Sequence, residues 1–307
     1  MDSLKEKKIG VLMGGLSPEK EISLSTGNEV FKAIQRKGLN GVMINVDHNI
    51  AEKVREENID LAFIALHGTY GEDGAIQGLL EYAGIPYTGS GVLGSAVAHD
   101  KVLSKQIFGR LNIPTAKYQV LNEEDRDDKK REIPLPLVVK PSNQGSSIGV
   151  TIVRKEEDYG NALDLAFEYS PEVIVEEYMD GRLIAIGMNQ ERPLPIVEIR
   201  PKSGFYDYEA KYTAGKTEYI CPAEIEKDVE ERCRDVAVRV YRALKGRGFP
   251  RVDAILNEAG VPQVLEMNTI PGLTPTSLMP MAAKEAGLEF DDLIVEILKT
   301  ARRDYQE

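Results

Sequence analysis

An α/β fold of two or three domains is what this sequence predicts. Three observations carry that expectation. β and α patterns alternate over residues 1–95, as a parallel sheet with helices on its faces requires; strand and helix signals mix over residues 96–180; and from Leu183 onward the strands are spaced for an antiparallel sheet. Taken in order, Lys8 to Met13 reads as a buried strand, Ile22 to Arg36 as a helix, Leu61 to Leu66 as a second strand and Gly74 to Tyr82 as a second helix. Gly84 to Gly91 then reads as a short strand leading into a linker, with a domain boundary near residue 95. A helix from Lys101 to Arg110 follows, then strands at Ala116 to Leu121, Leu137 to Lys140 and Val150 to Val153, a helix from Glu157 to Phe167 and a strand at Val173 to Glu177. The run Glu123 to Glu132 mixes acidic and basic residues and reads as a solvated loop. The last part, residues 181–307, should hold the antiparallel sheet, a long polar loop from Pro201 to Pro222, a helix from Lys227 to Lys245, a hairpin and two C-terminal helices.

Composition narrows the function. With 307 residues, 42% of them hydrophobic and 29% charged, the chain is an ordinary globular protein. No apolar run follows Met1 to Lys8 and none approaches the ~20 residues of a membrane span, so a soluble, cytoplasmic protein is expected. A net charge of −12 argues against nucleic acid as the main partner, while leaving room for a local basic site that binds phosphate. Cys221 and Cys233 form no Cys-x-x-Cys pair and read as packing residues in a reducing compartment.

The most informative segment runs from Arg251 to Gly272. Two β runs, Val252 to Leu256 and Val261 to Met267, flank the turn Asn257-Glu258-Ala259-Gly260 and read as a hairpin. Alternation puts Arg251 and Asp253 on one face, and Glu266 and Asn268 together on a face of the partner strand. Carboxylates gathered there repel one another, a cost that a divalent cation offsets, and hard oxygen donors suit Mg²⁺ shared with phosphate. The same pattern also describes an amphipathic hairpin with one wet face.

Two familiar nucleotide signatures are absent. Gly215-Lys216-Thr217 has Ala210 where a Walker loop needs its first glycine, and no Gly-x-Gly-x-x-Gly follows the first strand. What remains is the Gly/Ser stretch from Lys140 to Gly149 directly after a buried strand, which can fold over a polyphosphate or serve only as a hairpin turn. Near the N-terminus, Gly14 to Ser23 links the first strand to the first helix, where open α/β sheets bind ligands, although Ser17 could equally be a helix N-cap. His67 to Gly74 ends another strand of the same sheet, so the two loops should face one crevice.

Together these segments resemble the D-alanine–D-alanine ligases of the ATP-grasp family. Gly14-Gly-x-Ser-x-Glu-x-Glu-Ile-Ser, His67-Gly-x-x-Gly-Glu-Asp-Gly, Asp100-Lys101, Lys140-Pro-Ser with Gly145-Ser-Ser-x-Gly, Tyr206-Asp-Tyr-Glu-Ala-Lys-Tyr212, Arg251-x-Asp253, Glu266-x-Asn268 and Pro271-Gly-x-Thr-x-x-Ser-Leu-x-Pro280 occur in that family's order and spacing, nearly end to end. The resemblance implies three domains, 1–95, 96–180 and 181–307, with ATP between two antiparallel sheets and D-alanine facing the N-terminal domain. It implies that two D-alanines are joined through a D-alanyl phosphate, supplying a peptidoglycan precursor, with ATP as substrate and two Mg²⁺ (or Mn²⁺) ions.

The resemblance also implies roles for individual residues. Lys101, Lys140, Ser146, Ser147 and Lys211 would contact ATP, with Glu176, Glu177 and Met179 around adenine. Asp253, Glu266 and Asn268 match the metal ligands, and Arg251 with the Gly272 N–H would stabilise the tetrahedral oxyanion. Glu19 and His67 would face the first D-alanine, and Lys211, Ser277 and Leu278 the second. Ser146 and Tyr212 resemble members of a hydrogen-bond triad with Glu19 that ties down a lid over residues 201–222. Family members commonly form homodimers. One departure stands out: the glutamate that usually grips ribose seven residues after Glu176 is here Leu183. Related readings are a D-alanine–D-lactate or D-alanine–D-serine ligase, another ATP-grasp ligase such as glutathione synthetase, and a non-catalytic nucleotide-binding protein. An intact Arg251, Asp253, Glu266 and Asn268 set speaks against the last.

Overall fold

The computed structural model describes residues 2–126, 131–145, 147–213 and 215–305, without side-chain detail for Asp2, Ser3, Tyr208 and Tyr212. Ser146 and the Tyr212 side chain, both expected in a triad with Glu19, therefore lie outside the described residues.

A short helix, α1 (Asp2–Lys5), precedes β1 (Lys8–Gly14), α2 (Lys20–Arg36), β2 (Asn40–Val46), α3 (Ile50–Glu57), β3 (Leu61–Ile64) and α4 (Ala75–Tyr82). β1 pairs in parallel with β2 on one side and β3 on the other, which is the alternating unit expected. Residues of β1 are buried on both faces, as a strand covered by helices on each side must be. Neither β2 nor α3 was expected from the sequence. β2 is an edge strand whose burial is intermittent, and α3 buries only Val54, so neither shows a strong apolar period.

Two helices, α5 (Val92–His99) and α6 (Lys101–Arg110), lead into the central part. Residue 95, expected as a boundary, falls inside α5. Gly84 to Gly91 read as leading into a linker; the glycine that follows, Gly94, lies within α5, where a Cβ would sit 2.6 Å from the Lys245 carbonyl oxygen, so it permits close packing of that helix. β4 (Tyr118–Asn122), β5 (Leu137–Pro141), β6 (Thr151–Val153), α7 (Tyr159–Phe167) and β7 (Glu172–Glu177) follow, and the four strands form an antiparallel sheet in the order β4-β7-β5-β6. α7 covers one face of it through Ala162, Leu163 and Ala166.

β8 (Arg182–Asn189), β9 (Arg192–Pro193), β10 (Val197–Pro201), α8 (Tyr208–Tyr212), β11 (Thr217–Ile220), α9 (Lys227–Ala243), β12 (Arg251–Leu256) and β13 (Pro262–Asn268) build a second antiparallel sheet, in the order β11-β10-β8-β12-β13 with β9 on β8. The stretch expected as an irregular loop from Pro201 to Pro222 thus contains a short helix and a strand. α10 (Leu278–Glu285) and α11 (Phe290–Lys299) complete the order. One face of this sheet packs on α9 through Val236, Ala237 and Val240. The opposite face shares a core with α10, α11 and the N-terminal sheet, where Met279, Ile294, Val11 and Phe63 are fully or almost fully buried. Among the described residues no helix is long and apolar enough to cross a membrane.

Candidate active site

A cavity of about 940 Å³ lies between the two antiparallel sheets and opens toward the N-terminal sheet. Its floor is the hairpin. β12 and β13 pair so that Arg251 faces Asn268 and Asp253 faces Glu266, with the register shifting just beyond, between Asp253 and Ala254. The four polar side chains therefore gather as alternation required, and Val252, Ala254 and Val264 turn into the core on the other face. Arg251 holds Asp253 through two hydrogen bonds of 2.7 Å, and the Asn268 amide donates to the same carboxylate at 2.9 Å.

Lys101 crosses to this floor from the first turn of α6. Asp100 caps that helix by accepting from the Leu103 N–H, and the Lys101 ammonium lies 3.0 Å from Glu266 and donates to the Gln144 carbonyl. Burial pushes the Glu266 carboxyl up, but the charges of Lys101 and Lys211 outweigh it and hold it at about 2. Asp253, Glu266 and Asn268 offer two carboxylates and an amide oxygen to the cavity. Among the described residues no three His, Cys, Asp or Glu side chains cluster to hold a metal unaided. A hard divalent cation completing its shell with phosphate oxygens fits this donor set.

The Gly/Ser stretch leaves β5 at Lys140, whose ammonium lies against Glu176 on the neighbouring β7. Ser147 takes a left-handed conformation, φ 61°, donates to the Tyr206 carbonyl and accepts from Lys211 at 3.1 Å. Lys211 belongs to α8, so this short helix is pinned to the loop, and its ammonium also lies over the Tyr206 ring. Burial lowers the Lys211 ammonium from its ordinary range.

At the far end, Tyr178, Met179 and Leu183 line the cavity. The Glu177 N–H donates to the Lys117 carbonyl and its carboxylate accepts from the Lys117 N–H, so both groups are already engaged with β4's approach. Leu183 pairs with Ile199 on one side and Ile255 on the other, making an apolar wall. The nearby Glu198 carboxylate is held by Arg182 and Arg200.

The two N-terminal loops meet as expected. Ser17 is not the N-cap of α2; the cap position is Glu19, and the Ser17 hydroxyl accepts from the Glu19 N–H and donates to the His67 carbonyl, joining both loops. A Cβ on Gly68 would lie 2.7 Å from a Glu19 oxygen, and one on Gly145 3.2 Å from it, so Glu19 sits between the N-terminal sheet and the Gly/Ser stretch. Burial holds His67 at about 4, its ring bonding Thr26 and the Ile270 backbone, so it is neutral near pH 7. Gly272 lies beside Ser277, whose hydroxyl accepts from the Thr274 N–H at 3.1 Å. Leu278 lines the cavity edge, but its side chain is only 7% exposed and packs in the core.

Glu72 is a residue to which the sequence attached no role. Burial and the nearby Glu19 push its carboxyl up to about 8, against a hydrogen bond from the Gly68 N–H. It stood inside the motif from His67 to Gly74, yet its environment depends on a loop 50 positions away, the span bridged by Ser17 and His67.

Comparison with known proteins gives the family of the whole chain. The family model described as "D-ala D-ala ligase C-terminus" matches residues 107–299, and that described as "D-ala D-ala ligase N-terminus" matches residues 47–90. A D-alanine–D-alanine ligase of Geobacter sulfurreducens is 47% identical over 98% of this chain and 96% of its own, and one of Desulforudis audaxviator is 48% identical over 96% and 99%. Among solved structures, the Bacillus anthracis D-alanine–D-alanine ligase complexed with ATP superposes with a TM-score of 0.82 at 34% identity, covering 96% of this chain and 97% of that one. The VanG D-Ala:D-Ser ligase of Enterococcus faecalis reaches the same TM-score at 30% identity, covering 96% and 99%. Nearly complete coverage at this identity means that the chain belongs to the D-alanine–D-alanine ligase family.

Proposed function

We propose that this chain joins two molecules of D-alanine, with ATP converted to ADP and phosphate, to make D-alanyl-D-alanine for peptidoglycan. The observation that carries the reading is the convergence of Lys101, Lys140, Lys211 and Arg251 with Asp253, Glu266 and Glu19 around one cavity between two sheets. Lys101, Lys140, Lys211 and Arg251, set among carboxylates that would hold a divalent cation, suit a polyanion bound together with its metal.

ATP would lie with its adenine toward Met179 and its phosphates under Lys101, Lys140 and Ser147. Asp253, Glu266 and Asn268 would hold Mg²⁺, which would offset the negative charge of the phosphates. The carboxylate of the first D-alanine attacks the γ-phosphorus; a C–O–P linkage forms as the bond to ADP breaks. Glu19 and neutral His67 lie where that substrate's ammonium end is expected. The amine of the second D-alanine, oriented by Lys211 and Ser277, then attacks the acyl carbon. It loses a proton, and phosphate leaves. Arg251 and the Gly272 N–H stabilise the oxyanion of that step. α8 with its flanking residues 201–222 acts as a lid that keeps water from the acyl phosphate.

The same reading divides the chain near residues 95 and 180, puts the protein in the cytoplasm and expects a homodimer; sedimentation of the purified protein checks the last of these. Its central test is an assay of ADP release and dipeptide formation with D-alanine and Mg-ATP. Stoichiometric ADP and D-alanyl-D-alanine are expected. ADP formation indifferent to D-alanine, or D-alanyl-D-serine as the preferred product from mixed substrates, would overturn it.

A further inference from the structure

We propose that Lys105, which stands outside the cavity, is a positioning residue that leaves the Lys140 ammonium available to phosphate by sharing the Glu176 carboxylate from behind. The inference rests on the reading of the cavity as a nucleotide site. Lys105 is one of the largest fully buried side chains, 1% exposed. It lies one helical turn beyond Lys101 on α6, so the two lysines leave the same face of that helix. Its ammonium has oxygen neighbours at 2.9 Å (Thr115 hydroxyl), 3.2 Å (Ala116 carbonyl) and 2.9 Å (Glu176). The first two accept hydrogen bonds from it and the third is an ion-pair contact, a set that suits an ammonium rather than a neutral amine. Burial pulls Lys105 down from the ordinary lysine range while Lys140 and Lys105 hold Glu176 low, and the oxygen set decides for the charged form of both.

Glu176 is thus a single buried carboxylate between two ammonium groups, with Lys140 at 2.5 Å on its other oxygen. Glu176 and Lys140 line the cavity, whereas Lys105 lines a separate, shallower hollow with Thr115 and Tyr118. The cluster carries one surplus positive charge, and the side of it that faces the cavity is Lys140. Without Lys105 the remaining pair would be neutral, and Lys140 would be held by a carboxylate with no second counter-ion. Thr115 extends the arrangement, because its hydroxyl donates to the Val264 carbonyl of β13.

A purely structural cross-link would lower the melting temperature of a Lys105 variant without singling out one substrate. The proposal expects Lys105→Met to raise the KM for ATP about tenfold or more, with the KM for D-alanine unchanged and kcat within about threefold. Fluorescence titration with a methylanthraniloyl-ATP probe should show the same loss without any reliance on turnover. Adding Glu176→Gln to Lys105→Met removes the lone carboxylate and should restore part of the probe's affinity. Wild-type probe affinity in Lys105→Met, or a double variant that binds no more tightly than the single one, overturns the proposal. Should Lys105→Met fail to fold, Lys105→Arg keeps the charge: a near-normal KM for ATP in the folded variant supports the proposal, and a KM raised as far as tenfold sinks it. A wild-type protein that binds the probe with an affinity that Lys105→Met lowers, but that makes no dipeptide, would refute the ligase reading and leave this inference standing.

Discussion

Glu72 and Glu266 line one cavity, yet their protons are held at opposite extremes. Glu266 has lysines on two sides, whereas Glu72 has the carboxylates of Glu19 and Glu266 near it and, among the described residues, no lysine, so burial dominates there. In the unfolded chain Glu72 gives up its proton near 4.5, and in the folded chain only near about 8. The folded state therefore carries an extra proton between those values. Its contribution is whole below 4.5 and is lost as pH rises through about 8. Glu72→Gln should flatten that part of the stability curve and raise the melting temperature at pH 8 by a few degrees relative to wild type, measured by calorimetry across pH 5 to 9. An unchanged slope would mean that Glu72 is ionised in the folded protein. Leu183 carries the next prediction. With Leu183, Ile199 and Ile255 as neighbours and Glu198 already bound by two arginines, no ribose-gripping carboxylate stands at that wall. ATP and 2′-deoxy-ATP should give KM values within about tenfold of each other in a steady-state ADP assay, because no buried polar partner is left unpaired by the missing hydroxyl. At this scale the hairpin was legible, since a period of two fixes which of Arg251, Asp253, Glu266 and Asn268 share a face. Glu72 and Lys105 were not, since what distinguishes them is a partner on a different element.

Among the elements, α8 and the strands beside it had the weakest sequence signal. The stretch from Pro201 to Pro222 is rich in polar residues and reads as a loop, but tertiary pairing of Thr217–Ile220 with β10 and the Asp207 cap on Ala210 make half of it regular. The same override hid β2 and α3, whose exposed faces dilute any period, and α5, whose glycines serve packing. Helices with strong caps or deep apolar stripes, α6 and α9 among them, were placed within about two residues, the normal uncertainty of helix ends. α8 now has a mechanical role: it reaches the Gly/Ser stretch through Lys211 and Ser147. Lys211→Ala should raise the KM for the second D-alanine and let ADP form in excess of dipeptide by a few-fold or more, since the acyl phosphate would wait longer with its cover loosened. Parallel quantification of ADP and dipeptide tests this, and a ratio that stayed at one would remove Lys211 from the lid's fastening.

The molecule as a whole is closed by contacts between its beginning and its end. Arg247, 5% exposed, lies over the Tyr87 ring, donates to the Gly89 carbonyl and pairs with Asp304 at 2.9 Å. Arg247→Ala would leave the Gly89 carbonyl without its donor and the partly exposed Asp304 with only the Val92 N–H, and a loss of ~1–3 kcal/mol is expected from the buried group left unpaired. A melting temperature within one degree of wild type would contradict it. Near this lock, Tyr87 bridges Ala62 in parallel and Arg302 in antiparallel fashion, and the Asp304 N–H donates to Glu81, 223 positions earlier. The edge of the first sheet is consequently finished by residues that are made long after it. During synthesis that sheet must wait, its edge open, until the chain has been made past Arg302. Nascent chains arrested before residue 300 should still be cut by protease between Gly84 and Gly91, and the released protein should resist.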